Sequence, residues 1–297
     1  MASAPESKEI RIVRVFDAPR DLVWQAWTQA EHIAAWWGPE DFQATSVESD
    51  PRPGGVLRIV MRGPDGSEHA TAGVYREIVD RERIVVASTI LDPDGSPVLE
   101  SSHTVELAEA GTGTAVTVTA RAVALVPEAV AMLGGMQAGW NQSLQCLDDV
   151  FTGAVDRQIV LSRNLQAPRE RVFELWTRAE HLSRWWGPRG FPLTTHAMDV
   201  RPGGAWRFTM HGPDGPGYPN EIVYDEIRSP ERLVYTHTDP KFRTTVTFDE
   251  MMGMTALTMR MVFPSAGERD TVAERYGAAE GAAQTLGRLG DLVRISA

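Results

Sequence analysis

Two arginines and one histidine are the residues whose placement invites chemistry. Arg14 alternates with Ile12 and Phe16, and Arg163 alternates with Leu161 and Leu165. In an extended chain each guanidinium therefore shares a face with apolar side chains. A charge on such a face is costly unless it is paired. Glu77 and Glu226, carboxylates at equivalent places, are available as partners. An ion pair is the first reading of both arginines, and orientation of a ligand's acidic or carbonyl group is the second. His103 is in phase with Val105 and Leu107 and is expected to face the interior. There it reads as a hydrogen-bonded core residue or, with Arg14 or His237, as the acid–base group of a cavity reaction. His32 and His181 follow a short helix and read as surface or capping groups. The chain has no zinc-ligand spacing such as HExxH, no GxSxG nucleophile and no dinucleotide fingerprint, so no metal or cofactor is expected. The single cysteine, Cys146, lies between Leu144 and Leu147, which predicts a half-buried, inert thiol.

Charge narrows the partners. A formal net charge of -11 gives nothing to offset phosphate repulsion, so neither nucleic acid nor an anionic membrane is an expected partner. No apolar run reaches the ~20 residues of a membrane helix, and Met1–Glu9 lacks the apolar core of a signal peptide. The expected location is cytoplasmic.

The elements that position these residues occur twice. Ala18-Pro19-Arg20 recurs as Ala167-Pro168-Arg169, Trp36-Trp37-Gly38-Pro39 as Trp185-Trp186-Gly187-Pro188, and Gly63-Pro64-Asp65-Gly66 as Gly212-Pro213-Asp214-Gly215, always 149 positions apart. Arg52-Pro53-Gly54-Gly55 and Arg201-Pro202-Gly203-Gly204 keep the same offset. Further on, Thr114-Ala115 matches Thr255-Ala256, 141 positions apart, so the first copy holds eight more residues, expected in the loop 91–97. This is a duplicated domain, with copies at 1–153 and 154–297, joined by a short connection that favours a fixed arrangement.

Within a copy, the pattern reads as one strand, two short helices after Ala-Pro, about six strands, and a long final helix near 127–151. Met132, Met136 and Trp140 recur every four residues on that helix. An antiparallel meander with one apolar face must cover it, and the final helix is the element free to do so. The fold expected is α+β: two tandem helix-grip domains, each a curved antiparallel sheet around a long C-terminal helix.

These motifs, in this order and in both copies, resemble the activator of heat-shock-protein-90 ATPase homologue C-terminal-like family, of the START-like (SRPBCC, Bet v 1-like) superfamily. The resemblance implies a cavity between sheet and helix that holds a small hydrophobic or aromatic molecule. On that reading Trp37, Leu57, Ile59, Met61, His103 and Val105 line the first cavity with Val118, Met136 and Trp140, and Arg14 orients the ligand. In the second copy the wall is Trp186, Trp206, Phe208, Met210, Val246, Met259 and Met261, with Arg163 as the cation. A cavity enzyme on a hydrophobic or polyketide-like substrate is the alternative. A co-chaperone that stimulates the heat-shock ATPase ranks below both, because the activators that do so carry a separate N-terminal domain. The second copy departs from the family pattern: Ala282 replaces the tryptophan found at Trp140, while Trp206 replaces Leu57. The two pockets are therefore expected to differ in shape. The last helix of that copy, with Gly277, Gly281, Gly287 and Gly290, should be weaker and could serve as an interaction module.

Overall fold

Alternation shapes each sheet. In β7 (Gly113–Ala124) every second side chain from Thr114 to Ala124 is buried, and those between are exposed or half-buried. Full burial of a Val or Leu side chain contributes roughly 1.5–3 kcal/mol. The computed structural model describes residues 5–213, 215 and 217–295. The chain divides into two compact units, residues 1–153 and 154–297.

In the first unit β1 (Ser7–Phe16) leads to α1 (Arg20–Thr28) and α2 (Ala30–Ala34). These carry the chain to the opposite sheet edge, where β2 (Gln43–Ser49), β3 (Val56–Arg62), β4 (Glu68–Val79), β5 (Arg83–Leu91), β6 (Pro97–Ala110) and β7 form a meander. The strand order is β1-β7-β6-β5-β4-β3-β2, and every pair is antiparallel. After a short 3-10 turn at Pro127–Ala129 comes α3 (Val130–Thr152), which stops at Gly153 in the left-handed region (φ 62°). Leu133, Leu144 and Leu147 are buried on its sheet-facing side, with Met136 and Trp140 half-buried between them. Met132, expected on that face, is 40% exposed, because Leu133 takes the inward position in its turn.

The second unit repeats the plan with β8 (Gln158–Leu165), α4 (Arg169–Thr177), α5 (Ala179–Trp185), β9 (Leu193–Met198), β10 (Ala205–His211), β11 (Gly217–Arg228), β12 (Arg232–His237), β13 (Phe242–Met251) and β14 (Met254–Val262). Its strand order is β8-β14-β13-β12-β11-β10-β9. The two units are tandem helix-grip domains, as the motif order implied.

Two details differ from expectation. The extra residues of the first copy do not enlarge its turn: β5 and β6 hold 9 and 14 residues, against 6 and 10 in β12 and β13, so the insertion mostly lengthens a hairpin. The last helix of the second copy is also broken, into α6 (Ala266–Tyr276) and α7 (Ala278–Ile295), at Gly277 with φ 58°. A glycine adopts this left-handed conformation at little cost and so ends a helix. Among the described residues no helix is long and apolar enough to cross a membrane.

The paired glycines after Arg-Pro are structural in both copies. Gly54 and Gly203 lie at φ 83° and 79°, and a Cβ on Gly55 or Gly204 would sit 2.0 or 2.2 Å from the carbonyl oxygen of Asp50 or Asp199. The loop closes on the sheet through Gly54 N to the Tyr75 carbonyl and Tyr75 N to the Gly55 carbonyl, with the same bonds at Gly203, Gly204 and Tyr224.

Candidate functional site

The Trp-Trp-Gly-Pro element divides its labour. The first tryptophan is a strut: Trp36 Nε1 donates to the Ala26 carbonyl at 2.8 Å, and Trp185 Nε1 donates to the Leu175 carbonyl at 3.1 Å. Both fasten the C-terminal end of the second short helix to the first. The glycine that follows is fixed by φ (124° at Gly38, 87° at Gly187) and by the sulfur of Met61 or Met210, 3.2 Å from where a Cβ would be. The second tryptophan, Trp37 or Trp186, is half-buried and turns toward the sheet.

In the first domain Trp37 meets His103 (ring centroids 5.9 Å apart) and Trp140 (5.8 Å), and His103 meets Trp140 at 5.5 Å. A fourth ring completes the cluster: Trp27 stacks on Trp140 at 6.2 Å and 16°, and stands edge-on to Trp37 at 6.3 Å. Four elements supply these rings, namely α1, the loop after α2, β6 and α3. Leu57, Ile59, Val105 and Val118 are buried in the same core, with Met61 and Met136 partly buried against it. The structure thus gathers the first-copy residues named from sequence, other than Arg14, into one core.

Two polar groups in this cluster have no hydrogen-bond partner among the described residues. The Trp27 indole N–H is buried without a hydrogen bond among the described residues. His103 is 6% exposed, and no hydrogen bond reaches its ring among the described residues. Burial pushes its imidazole down to about 4, so it is neutral at pH 7. Buried polar groups almost always have partners; the equivalent atoms of the second domain, Trp176 Nε1 and Thr244 Oγ1, are likewise buried without one among the described residues. Trp27 was not singled out from sequence, where it read only as the apolar face of a helix. Its repetition as Trp176, also buried with an unpartnered N–H, was the signal available.

Arg14 does not reach this cluster. Its guanidinium donates to Gln145 Oε1 and lies 3.8 Å from Asp148 Oδ2, both on α3. The expected partner Glu77 is exposed and pairs with Arg83, and Glu226 pairs with Arg228 and Arg232. The cause is a β-bulge in each copy, where the register shifts between Tyr75 and Glu77 and between Tyr224 and Glu226, turning the carboxylates off the expected face. Arg163, expected inward, is exposed with no ion pair or hydrogen bond among the described residues. The helix positions equivalent to Gln145 and Asp148 are Gly287 and Gly290, which offer it nothing.

In the second domain the interior is redistributed. On the sheet, Trp206, Phe208, Tyr235 and Met261 stand where the first domain has Leu57, Ile59, Val86 and Ala120. On the helix, Ala278 and Ala282 replace Met136 and Trp140, and Thr244 replaces His103. Trp186 packs edge-on to Trp206 at 5.1 Å, and Trp206 stacks on Phe208 at 4.0 Å. Val246, Met259 and Met261 are buried in this core, with Met210 packed against it. Large side chains have moved from helix to sheet, and the sheet now fills what the helix vacates. Arg288, at the position of Cys146, donates to the carbonyls of Arg184, Trp186, Gly187 and Pro188, drawing α7 onto the loop. His237, a sequence candidate for proton transfer, is already engaged by the Pro240 carbonyl at 2.9 Å and the Asn220 side chain at 3.0 Å, and stacks on Phe242. Among the described residues no three His, Cys, Asp or Glu side chains come together as metal ligands do.

The family described as Activator of Hsp90 ATPase homolog 1-like protein matches residues 17–152 and 166–294, one segment in each domain. Similar solved structures include a Chromobacterium violaceum protein, 30% identical, matched over 48% of this chain and 96% of its own with a TM-score of 0.41. Another is from Rhizobium leguminosarum, 27% identical over 50% of this chain and 97% of its own, TM-score 0.46. A third, from Mycobacterium smegmatis, is 25% identical over 48% and 95%, TM-score 0.45. No curated protein sequence matches the chain.

Proposed function

This chain belongs to the Activator of Hsp90 ATPase homolog 1-like family, and we propose that it is a binding protein whose first domain holds a small hydrophobic or aromatic molecule between sheet and helix. The observation that carries this reading is the set of four rings, Trp27, Trp37, His103 and Trp140, in which the buried Trp27 indole N–H and the His103 ring have no hydrogen bond among the described residues. Aromatic and aliphatic walls with a few polar groups to fix orientation are what small-molecule sites are made of. The second domain has unpartnered atoms at the same two positions, Trp176 Nε1 and Thr244 Oγ1, but Trp206, Phe208 and Tyr235 fill its interior, so we assign the guest to the first domain. Binding is favoured over catalysis because Arg14 and His237 are engaged by other side chains or by backbone, which leaves His103 as the one candidate without a hydrogen bond.

Native mass spectrometry of the freshly purified full chain tests the reading. One small-molecule adduct per chain, released on denaturation and lost in Trp140→Ala, is the expected result. A chain that carries no adduct and takes up none of a set of naphthalene-sized aromatic probes overturns it.

A further inference from the structure

The unpartnered groups also define what kind of molecule fits. The wall around them is apolar: Leu57, Ile59, Val105 and Val118 are each at most 4% exposed. The cation expected at this site, Arg14, is instead held by Gln145 and Asp148 of α3. An ionised ligand would enter without a countercharge, at a cost of several kcal/mol. His103 carries no charge of its own at neutral pH, since burial keeps its imidazole unprotonated. A neutral imidazole has one ring nitrogen that accepts and one that donates. The Trp27 indole N–H can only donate. Trp37 and Trp140 each lie against both of these rings, so the two polar groups open on the same aromatic walls.

We propose, building on the binding role above, that the ligand of the first domain is an uncharged aromatic alcohol or phenol, whose ring packs against Trp37 and Trp140 and whose hydroxyl pairs with His103 and the Trp27 indole N–H. One hydroxyl satisfies both groups: its oxygen accepts from the indole, and its proton is donated to the imidazole. A carboxylate cannot donate to His103 and brings an unpaired charge. An ammonium cannot accept from Trp27. A bare hydrocarbon leaves both polar groups buried and unsatisfied, which is the situation a hydrogen-bonding site rejects.

The test is isothermal titration of the full chain with four probes of one size: 2-naphthol, naphthalene, 2-naphthoate and naphthylmethylammonium. The expected ranking places 2-naphthol at least about tenfold tighter than the other three. His103→Leu and Trp27→Phe, which keeps an aromatic ring but removes the N–H, are each expected to weaken 2-naphthol more than naphthalene. Naphthalene binding as tightly as 2-naphthol overturns the hydroxyl assignment and leaves the binding role intact. Tightest binding by the carboxylate or the ammonium also overturns the assignment alone. No binding by any probe overturns both. The ranking on the unsubstituted protein decides the matter even where a variant fails to fold.

Discussion

The Arg14 guanidinium lies 3.8 Å from the Asp148 carboxylate, tying the edge strand of the first sheet to the helix that the sheet grips. The second copy keeps the cation as Arg163 but has glycine at both partner positions, Gly287 and Gly290. The duplicated domain thus supplies its own control for what that tie contributes.

Arg14→Ala is expected to destabilise the first domain by about 1 kcal/mol, the size of a partly exposed, hydrogen-bonded ion pair. Arg163→Ala is expected to change stability by less than ~0.5 kcal/mol, as for a surface side chain without partners. Urea denaturation of both variants checks the contrast, and equal losses would show that the tie adds nothing.

The glycine pair after Arg52-Pro53 should respond unequally to alanine. Gly54→Ala meets no atom within 4 Å and bears only the strain of its positive φ, about 1 kcal/mol. Gly55→Ala places a Cβ 2.0 Å from the Asp50 carbonyl oxygen, so the loop must open and two backbone bonds to Tyr75 are strained or lost. Thermal melts should show a much larger drop for Gly55→Ala, with the same order at Gly203 and Gly204.

Removing the Arg288 guanidinium leaves four carbonyls, one in α5 and three in the loop after it, without this donor. Arg288→Gln is expected to cost about 1–2 kcal/mol, discounted for its partial exposure. Arg288→Lys should not restore it, because a single ammonium cannot reproduce the guanidinium's spread of donors. Urea midpoints for both variants measure this.

Stability should fall with acid through His103. Its folded value of about 4 lies below the unfolded 6.5, so between those values the unfolded chain binds a proton that the folded chain does not. Stability is therefore full above pH 6.5 and declines as pH drops toward 4, by about 3 kcal/mol over the whole window. His103→Leu should flatten that slope, measured as the difference in urea midpoint between pH 7 and pH 5. An unchanged slope in the variant would place the acid sensitivity elsewhere.

The duplication, the sheet and the gripping helix were legible because alternation and motif spacing survive in both copies: Val105, Val118 and Trp140 all occupy the interior their phase implied. Strands β2 and β9 were not read individually, since short polar residues such as Thr45, Ser46, Thr194 and Thr195 mask their period. The partners of Arg14 were hidden by a bulge, which shifts phase by one residue and leaves no mark in composition. The role of Trp27 was hidden for a different reason: a tryptophan on an apolar helix face looks the same whether its N–H is satisfied or not.

The assignment of the ligand site to His103 and Trp27 is tested most directly by nitrogen NMR of the full chain during titration with 2-naphthol. Of the seven histidines, His103 alone should shift its ring signals, and the Trp27 indole N–H should move downfield with it, while His237 in the second domain stays fixed. Saturable binding that leaves His103 and Trp27 unmoved, or that moves His237 instead, would contradict the account.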